Sequence, residues 1–154
     1  MGKYAQNTHV NSEQSRSEIE RTLTKYGAYG FIYGWQGNNA IVAFEMCNRR
    51  IKFVLPLPDK QAPEFTHTAA RGLRRTTEDA RRAWEQAGRQ RWRALALAIK
   101  AKLEAVESQI TTFEEEFMAH IVLPNGQTVG GWLQPQIESA YGNKKMPPLL
   151  EGPR

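Results

Sequence analysis

Cationic residues recur at helical spacing between Thr76 and about Ser108, beside apolar residues that recur at the same spacing. This pattern predicts one long amphipathic helix. At 100° per residue, four of its cations fall within about 40° of one another, so they form one stripe beside the apolar seam. The members of this basic stripe are Arg82, Arg89, Arg93 and Lys100.

Three further arginines, Arg71, Arg74 and Arg75, precede the helix and are predicted to form a flexible clamp over a ligand. The planar guanidinium group binds phosphate through paired hydrogen bonds, so the expected chemistry is nucleic-acid binding through phosphate contacts. The alternative is a solvated helix face on which each arginine pairs with a glutamate one turn earlier. The pairs expected on such a face are Glu78 with Arg82 and Glu85 with Arg89.

Aromatic residues alternate with glycine between residues 26 and 35, which suits either a stacking platform for unpaired bases or a sheet core. Strand alternation turns Phe31, Tyr33 and Trp35 toward the buried side, so the core is the favoured interpretation. Arg49 and Arg50 still give this part of the chain a basic edge, and they join the predicted nucleic-acid contacts.

Glu45 and Lys52 are predicted to face each other on neighbouring strands, an arrangement that occurs in metal-dependent nuclease centres. Such a centre needs at least one more carboxylate, because hard cations prefer several oxygen ligands. A cross-strand ion pair is the favoured interpretation. The carboxylates that could complete a centre, none of them selected by spacing, are Glu18, Glu20, Asp59 and Glu64.

The remaining reactive residues form no complete motif. Glu116 and His120 have the i,i+4 spacing of a metal pair, but two ligands do not make a site. Cys47 has no histidine at a defined distance, so nothing predicts a nucleophile. The glycines miss the spacing of phosphate-binding loops. We therefore expect neither a metal nor a cofactor.

Composition bounds the class of protein. A chain of 154 residues with 40% hydrophobic and 24% charged residues is typical of one globular domain with a real core. Its net charge of +5 favours polyanionic partners. A single cysteine permits no internal disulfide, and no apolar run approaches the roughly 18 residues of a membrane span. A cytoplasmic protein without a membrane partner is expected.

Three β-prone segments between residues 28 and 56 predict an antiparallel β-meander. The long helix is expected to pack against this sheet, which gives an α+β fold. A two-residue loop at Asn48–Arg49 would set the pairing of the last two strands. The cross-strand pairs expected on the buried face are Met46 with Ile51, Phe44 with Phe53, and Val42 with Leu55.

The predicted domain covers residues 16–142 and contains a loop at 57–75. A flexible N-terminus (1–15) precedes it, and an extended tail (143–154) follows it. The domain's first helix is expected to begin at Ser12 or Ser15 and to end near Lys25.

The C-terminal part of the domain is predicted to be helix–hairpin–helix. Thr111 with Glu114 indicates the cap of a short helix, and Asn125–Gly126 indicates a hairpin with a type I′ turn. A last helix is expected from Trp132 to Tyr141.

The chain resembles small proteins found in phage and prophage gene sets, which implies such an origin and no particular activity. The order of helix, three-stranded meander and long basic helix is also similar to the core of single-strand annealing recombinases, so the resemblance implies single-strand binding or annealing. The segments that carry the phage resemblance are Tyr26–Gly27–Ala28–Tyr29–Gly30–Phe31, Ile51–Lys52–Phe53–Val54–Leu55–Pro56 and Arg91–Trp92–Arg93–Ala94–Leu95.

The first hypothesis is a non-enzymatic nucleic-acid-binding protein of phage or mobile-element DNA metabolism, with Trp84 and Trp132 as anchors of a homo-oligomer interface. The first alternative is a protein-binding module that occupies a host factor and docks its Pro147–Pro148 tail. The second alternative is the metal-dependent nuclease.

Overall fold

A computed structural model describes the backbone of residues 3–146 and the side chains from Ser12 to Met146. The fold is α+β, with a three-stranded antiparallel sheet in the order β1-β2-β3, as predicted. The elements in chain order are α1 (Lys3–Lys25), β1 (Tyr29–Gln36), β2 (Asn39–Met46), β3 (Arg49–Pro56), α2 (Pro63–Thr66), α3 (Thr77–Glu107), α4 (Phe113–Phe117), a short 3-10 helix (Met118–His120) and α5 (Val129–Asn143).

Helix α3 confirms the predicted long amphipathic helix. The Thr76 side chain accepts a hydrogen bond from the backbone N–H of Asp79 at 3.1 Å, which satisfies one of the free donors of the first turn. The apolar seam faces α1 and one side of the sheet, and α1 contributes Ile19 and Leu23 to the shared core. The seam residues that α3 buries are Trp84, Trp92, Leu95, Ala96, Ile99 and Leu103.

The predicted faces of the sheet are confirmed, but the predicted pairing of β2 with β3 is wrong. Phe44 pairs with Ile51 and Val42 with Phe53, a shift of two residues along β3. The side-chain period of a strand is two, so this shift exchanges partners without turning any side chain to the other face. Phe44 therefore remains in the core, with its ring 6.0 Å from that of Phe31.

The tight turn between β2 and β3 causes the shift. Its two central residues are Cys47 and Asn48, with φ of 52° and 59°, rather than the predicted Asn48–Arg49. Positive φ at both positions is the mark of a type I′ turn. Cysteine is an uncommon residue at a left-handed position, so composition did not identify this turn.

The predicted loop at 57–75 contains regular structure. It includes helix α2, which buries Phe65, and an isolated bridge between His67 and Arg74. Trp84 of α3 closes over this segment, because its indole N–H donates to the carbonyl of Pro58 at 2.8 Å. The predicted interface role of Trp84 is therefore wrong, since this side chain is only 5% exposed.

Several predicted boundaries at the two ends of the chain differ from the structure. Helix α1 begins at Lys3, so it covers most of the segment predicted as a flexible N-terminus and begins before Ser12 or Ser15. Residues 144–146 lie in no helix or strand, and the rest of the predicted tail, with the Pro147–Pro148 docking prediction, lies outside the described residues.

The helix–hairpin–helix arrangement is not confirmed. Thr112, not Thr111, caps α4 by accepting from the backbone of Glu115. The segment after it forms isolated bridges rather than a two-stranded hairpin. Within this segment Gly126 has a positive φ of 89°, and Asn125 does not, so the turn is not type I′. Helix α5 begins three residues earlier than predicted, because Thr128 accepts from the backbone of Gly131.

Candidate nucleic-acid interface

The basic stripe forms one exposed face of α3. Arg82, Arg89, Arg93 and Lys100 are all exposed and span about 27 Å along the helix axis at 1.5 Å per residue. Arg89 and Arg93 also line an open groove of about 430 Å³ between α3 and α1. The other residues that line this groove are Gln14, Ser15, Glu18, Gln86, Gln90, Ala96 and Leu97.

The charges of the stripe are mostly left without carboxylate partners. Arg82 pairs with Glu78 at 3.4 Å, as predicted, and this pair is exposed. Arg89 donates to the side-chain amide of Gln86 at 2.8 Å, so the predicted Glu85–Arg89 pair is wrong. Within residues 12–146, no carboxylate lies within salt-bridge distance of the Arg93 or Lys100 side chain.

Arg81, which lies outside the stripe, engages two carboxylates of α3. Its guanidinium group pairs with Glu85 at 2.5 Å and also with Glu78. Hydrogen bonding to Arg81 lowers the pKa of Glu78, so that carboxylate stays ionised and engaged on the Arg81 side. Of the five carboxylates of α3, Glu78 and Glu85 are thus engaged with Arg81, and of these two only Glu78 also pairs with a residue of the stripe, Arg82.

The arginines before α3 do not extend the stripe. Arg74 and Arg75 line a small pocket together with Thr77 and Ala80 of α3. At 100° per residue, these two α3 positions lie roughly 120–180° around the helix axis from the stripe. The structure therefore brings Arg74 and Arg75 to the opposite flank of α3. Arg71 is exposed and does not line that pocket.

The two arginines of the sheet are paired with acids. Arg49 lies 3.0 Å from a carboxylate oxygen of Glu114. Arg50 lies 3.1 Å from Glu45. Both pairs are well exposed to solvent, so they are weak, but they place a negative charge beside each predicted phosphate contact.

The pairing of Glu45 with Arg50 corrects the predicted nuclease centre. Lys52 faces Ala43 instead of Glu45 across the two strands. Within the described part of the chain, no three side chains of His, Cys, Asp or Glu come together as metal ligands. Glu45 therefore acts here as an ion-pair partner, and the additional oxygen ligands that a hard cation requires are not assembled around it.

The two members of the i,i+4 pair, Glu116 and His120, likewise contact other residues of the protein. Glu116 lies 3.5 Å from the ammonium group of Lys102. The half-buried His120 ring stacks on Phe53 with ring centroids 4.1 Å apart. Burial, reinforced by the positive charge of Lys102, lowers the pKa of His120 from its ordinary value of 6.5.

His120 should make the fold sensitive to mild acid. The unfolded chain takes up a proton at this histidine near pH 6.5, whereas the folded chain takes it up only at lower pH. The free energy of unfolding should therefore decrease as the pH falls below 6.5. Urea unfolding at pH 7.5 and 5.5 measures this decrease, and His120→Gln should reduce it. An unchanged pH dependence in the variant would contradict the assignment.

The aromatic residues of β1 mostly belong to the core, as predicted. Phe31 and Tyr33 are half-buried and pack against it. Trp35 lies at its margin, 44% exposed, with its ring edge-on to Trp92 at 6.4 Å. A shift in register between Tyr29 and Ile32 places both of these side chains on the opposite face of the sheet, where each is 56% exposed.

None of the described helices is both long enough and apolar enough to cross a membrane. Comparison of the chain with protein-family models, with curated proteins and with solved structures finds no match. The interpretation of the basic stripe therefore rests on its own geometry and charge.

Proposed function

We propose that this protein binds nucleic acid, mainly through its phosphate groups, and that the basic stripe of α3 is the contact surface. The observation that carries the proposal is the exposed, aligned set of cations on α3, of which Arg93 and Lys100 lack a carboxylate partner among the described side chains. A place in phage or mobile-element DNA metabolism is part of this proposal; the resemblance of three segments to small phage proteins bears on such an origin and not on the activity.

The length of the stripe suits a polyanion rather than a small ligand. Its span of about 27 Å equals about eight phosphate steps along one strand of B-form DNA. The groove beside Arg89 and Arg93 adds amide and hydroxyl groups, which can bond to sugars and to base edges, and one carboxylate, that of Glu18. A stripe of this kind contacts phosphates and reads little sequence, so binding should tolerate many sequences.

Salt dependence tests the proposal directly. Three or four phosphate contacts give a slope of about −2 to −4 in a plot of log affinity against log salt concentration. Fluorescence anisotropy with a labelled oligonucleotide, single-stranded in one series and double-stranded in another, measures this slope. A methylphosphonate oligonucleotide of the same sequence is the control, because it keeps the bases and lacks the charges. A flat salt dependence, or equal affinity for the uncharged oligonucleotide, would remove the proposal.

The open face of the sheet favours a protein-binding module as a second candidate. Tyr29, Ile32 and Val54 are 56%, 56% and 45% exposed on this face. Exposed apolar side chains that share one face of a sheet can form part of a protein interaction site. Under this candidate, one protein should co-purify stoichiometrically after nuclease treatment, and Ile32→Glu should abolish its recovery. Retention of that protein by the variant would argue against this face.

A further inference from the structure

A small pocket beside the first turn of α3 is surrounded by three cationic side chains. Lys60 comes from the segment before α2, and Arg74 and Arg75 come from the segment before α3. We propose that this pocket binds a phosphate group in its dianionic form, either as free orthophosphate or as the terminal group of a phosphomonoester. This site is separate from the basic stripe and goes beyond the function proposed above.

The lining of the pocket has the composition of an anion site. Besides the three cations, it includes Gln61 and Thr77, whose side chains can donate hydrogen bonds, Thr66, whose hydroxyl group already bonds to Nδ1 of His67 at 2.8 Å, and Ala80. None of these lining residues carries a carboxylate group. A dianion at this position would therefore meet three positive charges and several neutral donors without a competing acid in the lining.

Backbone hydrogen bonds hold the segment that carries the two arginines. The N–H of Arg75 donates to the carbonyl of Thr66 at 2.7 Å, and the N–H of Thr68 donates to the carbonyl of Leu73 at 2.8 Å. These bonds fold the segment back on itself, and Phe65 anchors it in the protein interior. The Arg75 side chain is half-buried and donates to the carbonyl of Phe65 at 3.5 Å. The Arg75 side chain is thus partly positioned before a ligand binds, which reduces the conformational entropy lost on binding.

The Lys60 side chain is positioned by a contact with an aromatic ring. Its ammonium group lies 5.6 Å from the centre of the Trp84 ring, within the range of a cation–π contact. Trp84 is itself fixed by its hydrogen bond to the carbonyl of Pro58 at 2.8 Å. The nearby carboxylate of Asp59 accepts a hydrogen bond from the backbone N–H of Gln61. The Lys60 side chain is thus positioned by packing on an aromatic ring.

The size of the pocket limits the ligand. Its volume is about 160 Å³. Pockets that enclose drug-sized molecules measure roughly 300–1,000 Å³, so this one accommodates a phosphate group and leaves the rest of a larger ligand outside. Its position next to the positive end of the α3 helix dipole adds to the attraction for an anion.

Titration with orthophosphate tests the site. At constant ionic strength, amide NMR signals of residues 60–80 should shift saturably with phosphate and not with chloride. Arg74→Gln should weaken this binding about tenfold, as expected for the loss of one charge-assisted hydrogen bond. Arg71→Gln is the matched control, because Arg71 is an exposed arginine of the same segment that does not line the pocket. Absence of saturable shifts, or equal weakening by both variants, would overturn the proposal.

Two oligonucleotides then distinguish the sources of the phosphate group. If the ligand is a nucleic-acid end, a 5′-phosphorylated oligonucleotide should bind more tightly than its 5′-hydroxyl counterpart, and Arg74→Gln should remove the difference. If both oligonucleotides bind equally while orthophosphate still saturates the pocket, the ligand is a free phosphorylated molecule. Arg93→Gln should leave orthophosphate binding unchanged, so this site and the basic stripe can fail independently.

Discussion

Phe44→Ala is expected to lower the free energy of unfolding by about 3–5 kcal/mol, whereas Tyr29→Ala should change it by less than about 1 kcal/mol. Phe44 is 1% exposed, and its ring packs against those of Phe31 and Phe53. Removing this ring leaves a cavity that the surrounding core cannot fill. Tyr29 lies on the open face of the same sheet and is more than half exposed, so truncation of its side chain removes few packing contacts.

Urea unfolding monitored by circular dichroism measures both effects. Domains are typically stable by only about 5–15 kcal/mol, so Phe44→Ala can approach complete unfolding. Phe44→Leu then provides a milder test, with an expected loss intermediate between wild type and Phe44→Ala. Equal losses for Phe44→Ala and Tyr29→Ala would mean that the two faces of the sheet are equally covered, which would contradict the described core.

The sequence is sufficient to predict the faces of the sheet but not the cross-strand partners. Alternation along β2 identifies Val42 and Phe44 as buried because burial has the same period as the side chains. Partners depend on which two residues form the turn, and that choice depends on left-handed backbone at Cys47 and Asn48. Neither the composition nor the alternation distinguishes this turn from one centred a residue later.

Helix α3 was predictable because each of its signals is local. Thr76 caps it and the apolar seam repeats along it. The same spacing includes Trp84, which lies eight residues before Trp92, so the seam could have been extended to that residue from the sequence. Its hydrogen bond to Pro58 could not have been predicted, because this contact depends on the path of the chain before α2.

The candidate site likewise contains residues whose positions follow from local spacing and residues whose positions depend on the fold. Arg89 and Arg93 belong to one helix, so their shared face follows from helical geometry alone. The pocket that we propose to bind phosphate joins Lys60 to Arg74 and Arg75 through the fold of the intervening segment, which periodicity does not determine. The sequence therefore does not add Lys60 to the predicted contacts, and it does not indicate that Arg74 and Arg75 lie on the flank of α3 opposite the stripe.

Replacing Arg89 and Arg93 together by glutamate is expected to lower affinity for oligonucleotides by two to three powers of ten at about 0.1 M salt. Each exposed contact is worth up to about 1 kcal/mol, and each new carboxylate repels phosphate by a similar amount. The slope of log affinity against log salt should become shallower by about two, because two phosphate contacts are lost. Binding should weaken equally for unrelated sequences, since phosphate contacts carry no sequence information.

Lys144→Glu with Lys145→Glu is the matched control for this variant. Both lysines are exposed after α5, and this double variant changes the net charge by the same amount as the stripe variant. If binding depends on the stripe, the control should retain most of the affinity and nearly the full salt slope. If binding depends only on the overall charge, both variants should lose affinity equally, and the stripe would then have no special role. Unfolding measurements on both proteins separate loss of contacts from loss of structure, because all four side chains are exposed and their replacement should leave the core intact.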